Sequence, residues 1–200
     1  MLSDVIRIAK AEDIIVEDKV FENEILTRED LIGIDFQSVQ FKQCKFEHCD
    51  FSRANFYNVT LEACDFSNCK CKKSYWKNAE IHDCKADGSD FNSAVFKEVN
   101  LERSSFCYAN CAETLWEHST IKECDFKEAF LSEVKFKKVS FSKVDFTQVD
   151  FFKTMLKGID LSDCTIKGLM VSDTYKELKG AKVNLVQTME IARLLGMQIV

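Results

Sequence analysis

The sequence predicts an all-β solenoid, a four-sided β-helix closed by a short C-terminal α-helix. Three observations predict it. From Phe36 to Val171 every fifth residue is apolar, 28 consecutive positions without a charge among them. Two residues before each stands a second set of small or apolar residues, such as Ile34, Val39, Cys44, Cys49, Ala54 and Ser74. The remaining three positions of each five are mostly polar or charged.

A period of five suits neither an amphipathic helix nor a long strand. A helix would carry its apolar side around the axis, and a strand would flip it from face to face. The pattern is satisfied if the chain runs extended for about three residues, so that positions two apart point the same way, and then turns a corner. Four such sides close a coil of 20 residues. Stacked coils bury a core that no single repeat could bury alone. At ~4.8 Å per coil, residues 34–173 make a rod of roughly 34 Å.

The elements follow in order. Residues 1–15 lie outside the clear repeat, and Ser3 is a candidate cap for a short helix through Lys10, with a strand or partial coil as the alternative. Val16, Phe21, Leu26 and Leu31 keep the later register, so an irregular coil begins near residue 15. Its inward minor positions are the charged Lys19, Glu24 and Glu29, so that coil is imperfect. Residues 16–173 then form the β-helix without interruption, since the chain has no Pro and few Gly. A 40-residue echo puts Trp76 and Trp116 on the same side. Beyond Val171 the register fades, and residues 174–200 form a cap and dimerisation helix. Asn184 is its N-cap, and Gly196 its stop. Leu185, Met189, Ala192 and Leu195 recur at helical spacing, and Met197 and Ile199 follow in an apolar tail. This helix has more apolar surface than one cap needs, which predicts a two-fold dimer through Leu185, Met189, Ala192, Leu195, Met197 and Ile199.

Sorting residues by 20 gives four sides. The side centred on Phe36, Phe56 and Trp76 carries six lysines, Lys77, Lys97, Lys135, Lys137, Lys138 and Lys157, against three acids. On it Tyr75, Val95 and Leu115 occupy an outward position that is polar elsewhere. They predict a solvent-facing apolar stripe, which marks either a partner contact or a seat for the chain's own N-terminal segment. The next side is acidic, with Glu62, Glu80, Asp83, Glu102 and Glu123 as its central carboxylates.

Composition narrows the function. Net charge is −6 over 200 residues, which argues against general binding of nucleic acid or anionic membrane. No apolar run is long enough to span a membrane, and the N-terminus lacks the pattern of a secretory signal, so a cytoplasmic location is expected. Nine of the ten cysteines fall on inward positions and only Cys107 does not, so they read as buried small hydrophobes rather than disulfides or metal ligands. His48, His82 and His118 point outward and pair with no nucleophile. No phosphate loop, catalytic residue, metal site or cofactor is indicated. The expectation is an interaction module, not an enzyme.

The five-residue motif resembles the pentapeptide-repeat family, whose fold is a right-handed quadrilateral β-helix. Residues 81–96, IHDCKADGSDFNSAVF, and the ending LKGAKVNLVQTMEIARLLGMQIV, residues 178–200, are similar to segments of the Qnr-type quinolone-resistance proteins. That resemblance implies a homodimeric DNA mimic that binds type II topoisomerases, DNA gyrase and topoisomerase IV, and modulates quinolone sensitivity. The absence of long loops resembles the loop-free members. The alternative is a generic scaffold that docks an unrelated protein on the Tyr75–Val95–Leu115 stripe.

Overall fold

The structure, a computed structural model, describes residues 1–198. Ile199, one of the expected dimer residues, lies outside the described residues.

Each five-residue repeat makes one side of a square coil, and one residue in five makes the corner. Every fifth residue from Asp13 (φ 52°) to Gly158 (φ 83°) adopts the left-handed region. Only Gly33, Gly88 and Gly158 do so without a Cβ penalty. For the others the conformation costs roughly 1–2 kcal/mol each. Ladder hydrogen bonds and core burial offset that cost, and Asn and Asp at many of these corners reduce it.

The sides are of two kinds. The first two are extended and build two seven-stranded parallel sheets. One runs from Val16–Glu17 through Asp35–Gln37, Asn55–Tyr57, Tyr75–Lys77, Val95–Lys97 and Leu115–Glu117 to Lys135–Lys137. The other runs from Val20–Glu22 to Ser140–Ser142. Partners are 20 residues apart, as in Phe96↔Trp116 and Leu101↔Ile121. The other two sides are mostly tight turns, joined by single bridges such as Asp50↔Lys70 and Asp65↔Lys85.

Asx turns bend many of the tight sides, although Asp35, Asn55 and Asn100 hold the same position on extended ones. Where Asp or Asn precedes the central apolar residue on a tight side, its Oδ1 accepts the N–H two residues on. Asp50 does so for Ser52 at 3.0 Å, Asp65 for Ser67 at 2.9 Å and Asp90 for Asn92 at 3.1 Å. This is an Asx turn, and it bends the side. The extended sides place Tyr75, Val95, Leu115, Thr60 and Thr120 at that position, residue types that mostly favour strands.

The core is a set of stacked columns. On the first side the Phe56 and Trp76 rings lie 3.8 Å apart and 7° from parallel, and Phe96 and Trp116 lie 3.9 Å apart at 11°. Each indole needs an acceptor. Trp76 Nε1 donates to Ser74 Oγ at 2.9 Å and Trp116 Nε1 to Thr114 Oγ1 at 3.1 Å. The inward polar residues of the repeat are therefore satisfied partners, not defects. Nine cysteines are buried, Cys107 is half-buried, and all ten are free thiols.

Both ends are covered. Helix α1, Leu2–Glu12, lays Leu2, Ile6 and Ala9 on the first coil, and Lys10 Nζ holds Asp30 Oδ2 at 2.6 Å. Two expectations are corrected here. Ser3 makes no capping bond, because the helix already begins at Leu2. The N-terminal segment caps the end of the rod through those three apolar residues and is not the lid over the Tyr75–Val95–Leu115 stripe.

At the other end the chain continues as a partial extra coil. Phe51 N donates to Lys70 O, 19 residues on, whereas Leu156 N donates to Glu177 O, 21 on, and Gly158 N to Gly180 O, 22 on. The inserted residues explain why the five-step register fades. Helix α2, Gln187–Leu194, follows. Asn184 Oδ1 accepts from Gln187 N at 2.9 Å, and Gln187 Oε1 accepts from Asn184 N at 2.8 Å, a reciprocal cap. Gln187 Nε2 then donates to the carbonyls of Leu161 and Cys164, which moors the helix to the rod.

The expectation of an uninterrupted rod needs a further correction. Coils 134–153 and 154–173 stay bonded on the two tight sides, through Asp145↔Thr165 and Asp150↔Met170. On the two extended sides they part. Lys135–Lys137 and Ser140–Ser142 are the last strands of their sheets. The two coils differ in shape there. Below those flat strands the chain makes tight turns at Leu156-Lys157-Gly158 and at Asp160, whose Oδ1 accepts Ser162 N at 3.0 Å. At an earlier flat-on-bent junction, Lys45–Glu47 on Asp65, Phe46 N still reaches Asp65 O at 2.8 Å, whereas here the ladder bonds are lost among the described residues. Phe136, Val139 and Phe141 are consequently only half-buried.

Candidate interaction surface

The surface is built from the outward positions of the sides. On the first side, Val95 pairs with Tyr75 and with Leu115 in register, so the three form the expected line. They are half-buried rather than fully solvent-facing. Neighbours one coil apart cover one another at strand spacing, and the Tyr57 ring approaches Tyr75 at 5.5 Å between centroids.

The second side carries the acids. Thr60–Glu62, Glu80–His82 and Asn100–Glu102 stack in parallel register, so Glu62, His82 and Glu102 form one column. Much of the charge is compensated within the chain. Arg103 bridges Asp83 at 2.8 Å and Glu102 at 2.8 Å, and Lys122 reaches Glu102 at 3.5 Å. Lys143 reaches Glu123 at 3.1 Å. The Arg103 guanidinium holds the carboxyls of Asp83 and Glu102 below their usual range. Among the described residues Glu62 and Glu80 have no Lys or Arg partner. Asn100 donates to Glu80 at 2.8 Å.

His82 departs from its expected place. His48 and His118 are exposed, but His82 is half-buried between two carboxylates, with Nε2 3.3 Å from Glu80 and Nδ1 3.9 Å from Glu102. Stacking at strand spacing brings the Glu80 and Glu102 side chains onto it.

At the C-terminal end Leu185, Met189, Leu195 and Met197 are exposed, Leu185 at 85%, and Ala192 is half-buried. Ile191 and Leu194 pack on the core instead. Val186, 67% exposed, belongs with this patch and escaped the helical spacing because it precedes the helix. A second apolar group also escaped notice. Phe130, Phe152, Met155 and Met170 are exposed on the last coils. Only their outward position in the repeat signals them.

The cavities are open notches between elements. A notch of about 650 Å³ lies beside α1 and the Lys10–Asp30 pair, and another of about 570 Å³ lies where the last coils part. Among the described residues no group of three or more His, Cys, Asp or Glu is placed to hold a metal ion, and no helix is long and apolar enough to cross a membrane.

The model for the pentapeptide repeat region matches residues 34–111 and 55–131, and the model for eight-copy pentapeptide repeats matches 118–151 and 129–168. The chain belongs to the pentapeptide-repeat family. Among solved structures, it is similar to a trypsin-treated variant of QnrB1, described as a plasmid-mediated fluoroquinolone resistance protein. That match has 19% identity, covers 94% of this chain and 100% of that one, and has a TM-score of 0.55. Full-length QnrB1 matches at 16% identity over 90% of this chain and 99% of that one, with a TM-score of 0.42. HetL, a pentapeptide repeat protein involved in heterocyst differentiation regulation in Nostoc sp. strain PCC 7120, matches at 13% identity over 90% and 93%, with a TM-score of 0.33. No curated protein sequence matches the chain. At these identities the likeness is one of fold.

Proposed function

We propose that this pentapeptide-repeat protein is a non-catalytic cytoplasmic rod that binds the type II topoisomerases, DNA gyrase and topoisomerase IV, in place of duplex DNA and so modulates quinolone sensitivity. The observation that carries the reading is the second side. There a parallel sheet repeats carboxylates from coil to coil, and among the described residues Glu62 and Glu80 have no Lys or Arg partner. Duplex DNA presents one charge per ~1.7 Å of axis, whereas coils repeat every ~4.8 Å. In this reading the rod stands in for a duplex at lower charge density, with Glu62, Glu80, Asp83, Glu102 and Glu123 as the carboxylates on its acidic side. The similarity in fold to QnrB1 supports the quinolone connection. The exposed Leu185, Met189, Leu195 and Met197 support a homodimer, which would double the rod.

A second reading is a scaffold for an unrelated partner, favoured by the in-register Tyr75–Val95–Leu115 line. Gyrase supercoiling and drug-induced cleavage assays, with and without a fluoroquinolone, separate the two. The topoisomerase reading expects a dose-dependent change in either assay, weakened by the double substitution Glu62→Lys and Glu80→Lys. No effect on supercoiling, cleavage or gyrase–DNA binding favours the scaffold.

A further inference from the structure

The parting of the last two coils leaves an unfinished β-ladder. In the preceding repeats His118 N donates to Lys137 O at 2.9 Å and Glu123 N to Ser142 O at 2.8 Å. The equivalent donors one coil on are Lys138 N and Lys143 N, and among the described residues neither has a backbone partner. The carbonyls of Thr114 and Ser119 accept from Lys135 N and Ser140 N, but those of Val134 and Val139 accept from no backbone N–H. Two adjacent strand edges thus lack backbone partners around one corner, the second crossed by a side-chain bond from Ser142 Oγ to Asp163 Oδ2 at 2.9 Å. The inward residues of these edges, Phe136, Val139 and Phe141, are half-buried. The notch on the first side, about 570 Å³, is walled by Phe136, Met155 and Lys135.

The charge around it has one sign in excess. Among the described residues Lys135, Lys138 and Lys157 make no ion pair, and Lys137 reaches Glu117 only at 4.0 Å. An open strand edge recruits an added strand, apolar floor residues select apolar side chains at alternate positions, and unpaired lysines select carboxylates at the others. We infer that the notch between residues 135–143 and 155–163 is a docking site for an extended peptide segment of a partner protein, with alternating apolar and acidic residues, added as a strand to Lys135–Lys137 and Ser140–Ser142. The first-side part of this site lies apart from the acidic residues, its second-side part adjoins Glu123 through Lys143, and the inference stands whether or not the topoisomerase reading holds.

The test uses the full chain and an end-blocked, fluorescein-labelled ten-residue peptide of alternating valine and glutamate. In the free protein the amides of Lys138 and Lys143 should exchange with solvent at least tenfold faster than those of His118 and Glu123, and the peptide should slow them. Anisotropy should show saturable binding. It should weaken at least tenfold in the triple variant Lys135→Glu, Lys138→Glu, Lys157→Glu, whose exposed positions leave the core intact. It should vanish for a peptide N-methylated at alternate residues, which cannot complete the ladder. Equal protection of the four amides in the free protein would mean that the coils close, and would overturn the inference. So would unchanged binding of the N-methylated peptide or by the triple variant, or self-association of the chain that the triple variant abolishes, which would make a second copy the occupant.

Discussion

Val134 donates its N–H to the hydroxyl of Thr154 at 2.8 Å, and that bond is the last link before the ladder opens. Up to Glu133, whose N–H meets Phe152 O at 2.9 Å, the coils are joined backbone to backbone. Thr154 is fully buried, and its hydroxyl also donates to Leu131 O. Replacing it by Val keeps the shape and removes both bonds. Thr154→Val should cost about 1–3 kcal/mol through the buried amide left unpaired. Chemical denaturation would measure the loss, and faster exchange at Val134 and Lys135 would locate it.

The aromatic column on the first side should dominate stability. Trp116 is 1% exposed and stacks on Phe96. Trp116→Ala should destabilise by about 3–5 kcal/mol. In a solenoid the effect stays with the repeat and its neighbours, so fluorescence from Trp76 should report less loss than exchange at residues 114–118.

Glu177 gives the C-terminal cap a pH dependence. Burial raises its carboxyl, but the N–H groups of Glu177 itself, Lys153 and Ser172, together with the Ser172 hydroxyl, outweigh burial and hold it below the usual range. A carboxyl lowered on folding contributes stability that is present above its unfolded pKa, near ~4.3. That contribution is lost as pH falls through the lower folded value. Unfolding followed from pH 7 to pH 3 should show the drop begin below about pH 5, and Glu177→Gln should flatten that part of the profile.

The thiols should be inert in the folded chain. Burial pushes Cys111 up to about 12 and Cys124 and Cys164 up to about 11. Thiolate is the reactive form. Native protein at pH 8 should react with a thiol reagent at Cys107 first and slowly, since burial raises it too, and all ten should react only after unfolding.

The helix patch should control assembly. Leu185→Asp with Met197→Asp alters two exposed side chains and should leave the rod folded while converting a dimer to a monomer in light scattering at micromolar concentration. A wild-type chain that is already monomeric would remove the dimer.

Much of the rod was legible because its signal is local and repeated. Phe36, Trp76 and Leu101 point inward for the same reason at each step, and Asn184 announces its cap three residues from its partner. The notch was not legible. It lies where the Asx turn at Asp160 meets the flat strand at Ser140, a relation between residues 20 apart, and neither residue is unusual alone. The ion pairs that mask Asp83 and Glu102 were hidden likewise, because Arg103 reaches them only once coils are stacked.

By itself the sequence determined the period, the inward columns and the C-terminal cap, since apolar residues at fives leave the chain one way to bury them. Only the tertiary structure decided which sides lie flat or bend, where the ladder breaks and which carboxylates stay unpaired. These depend on fit between successive coils, a property of their contact and not of either coil's residues.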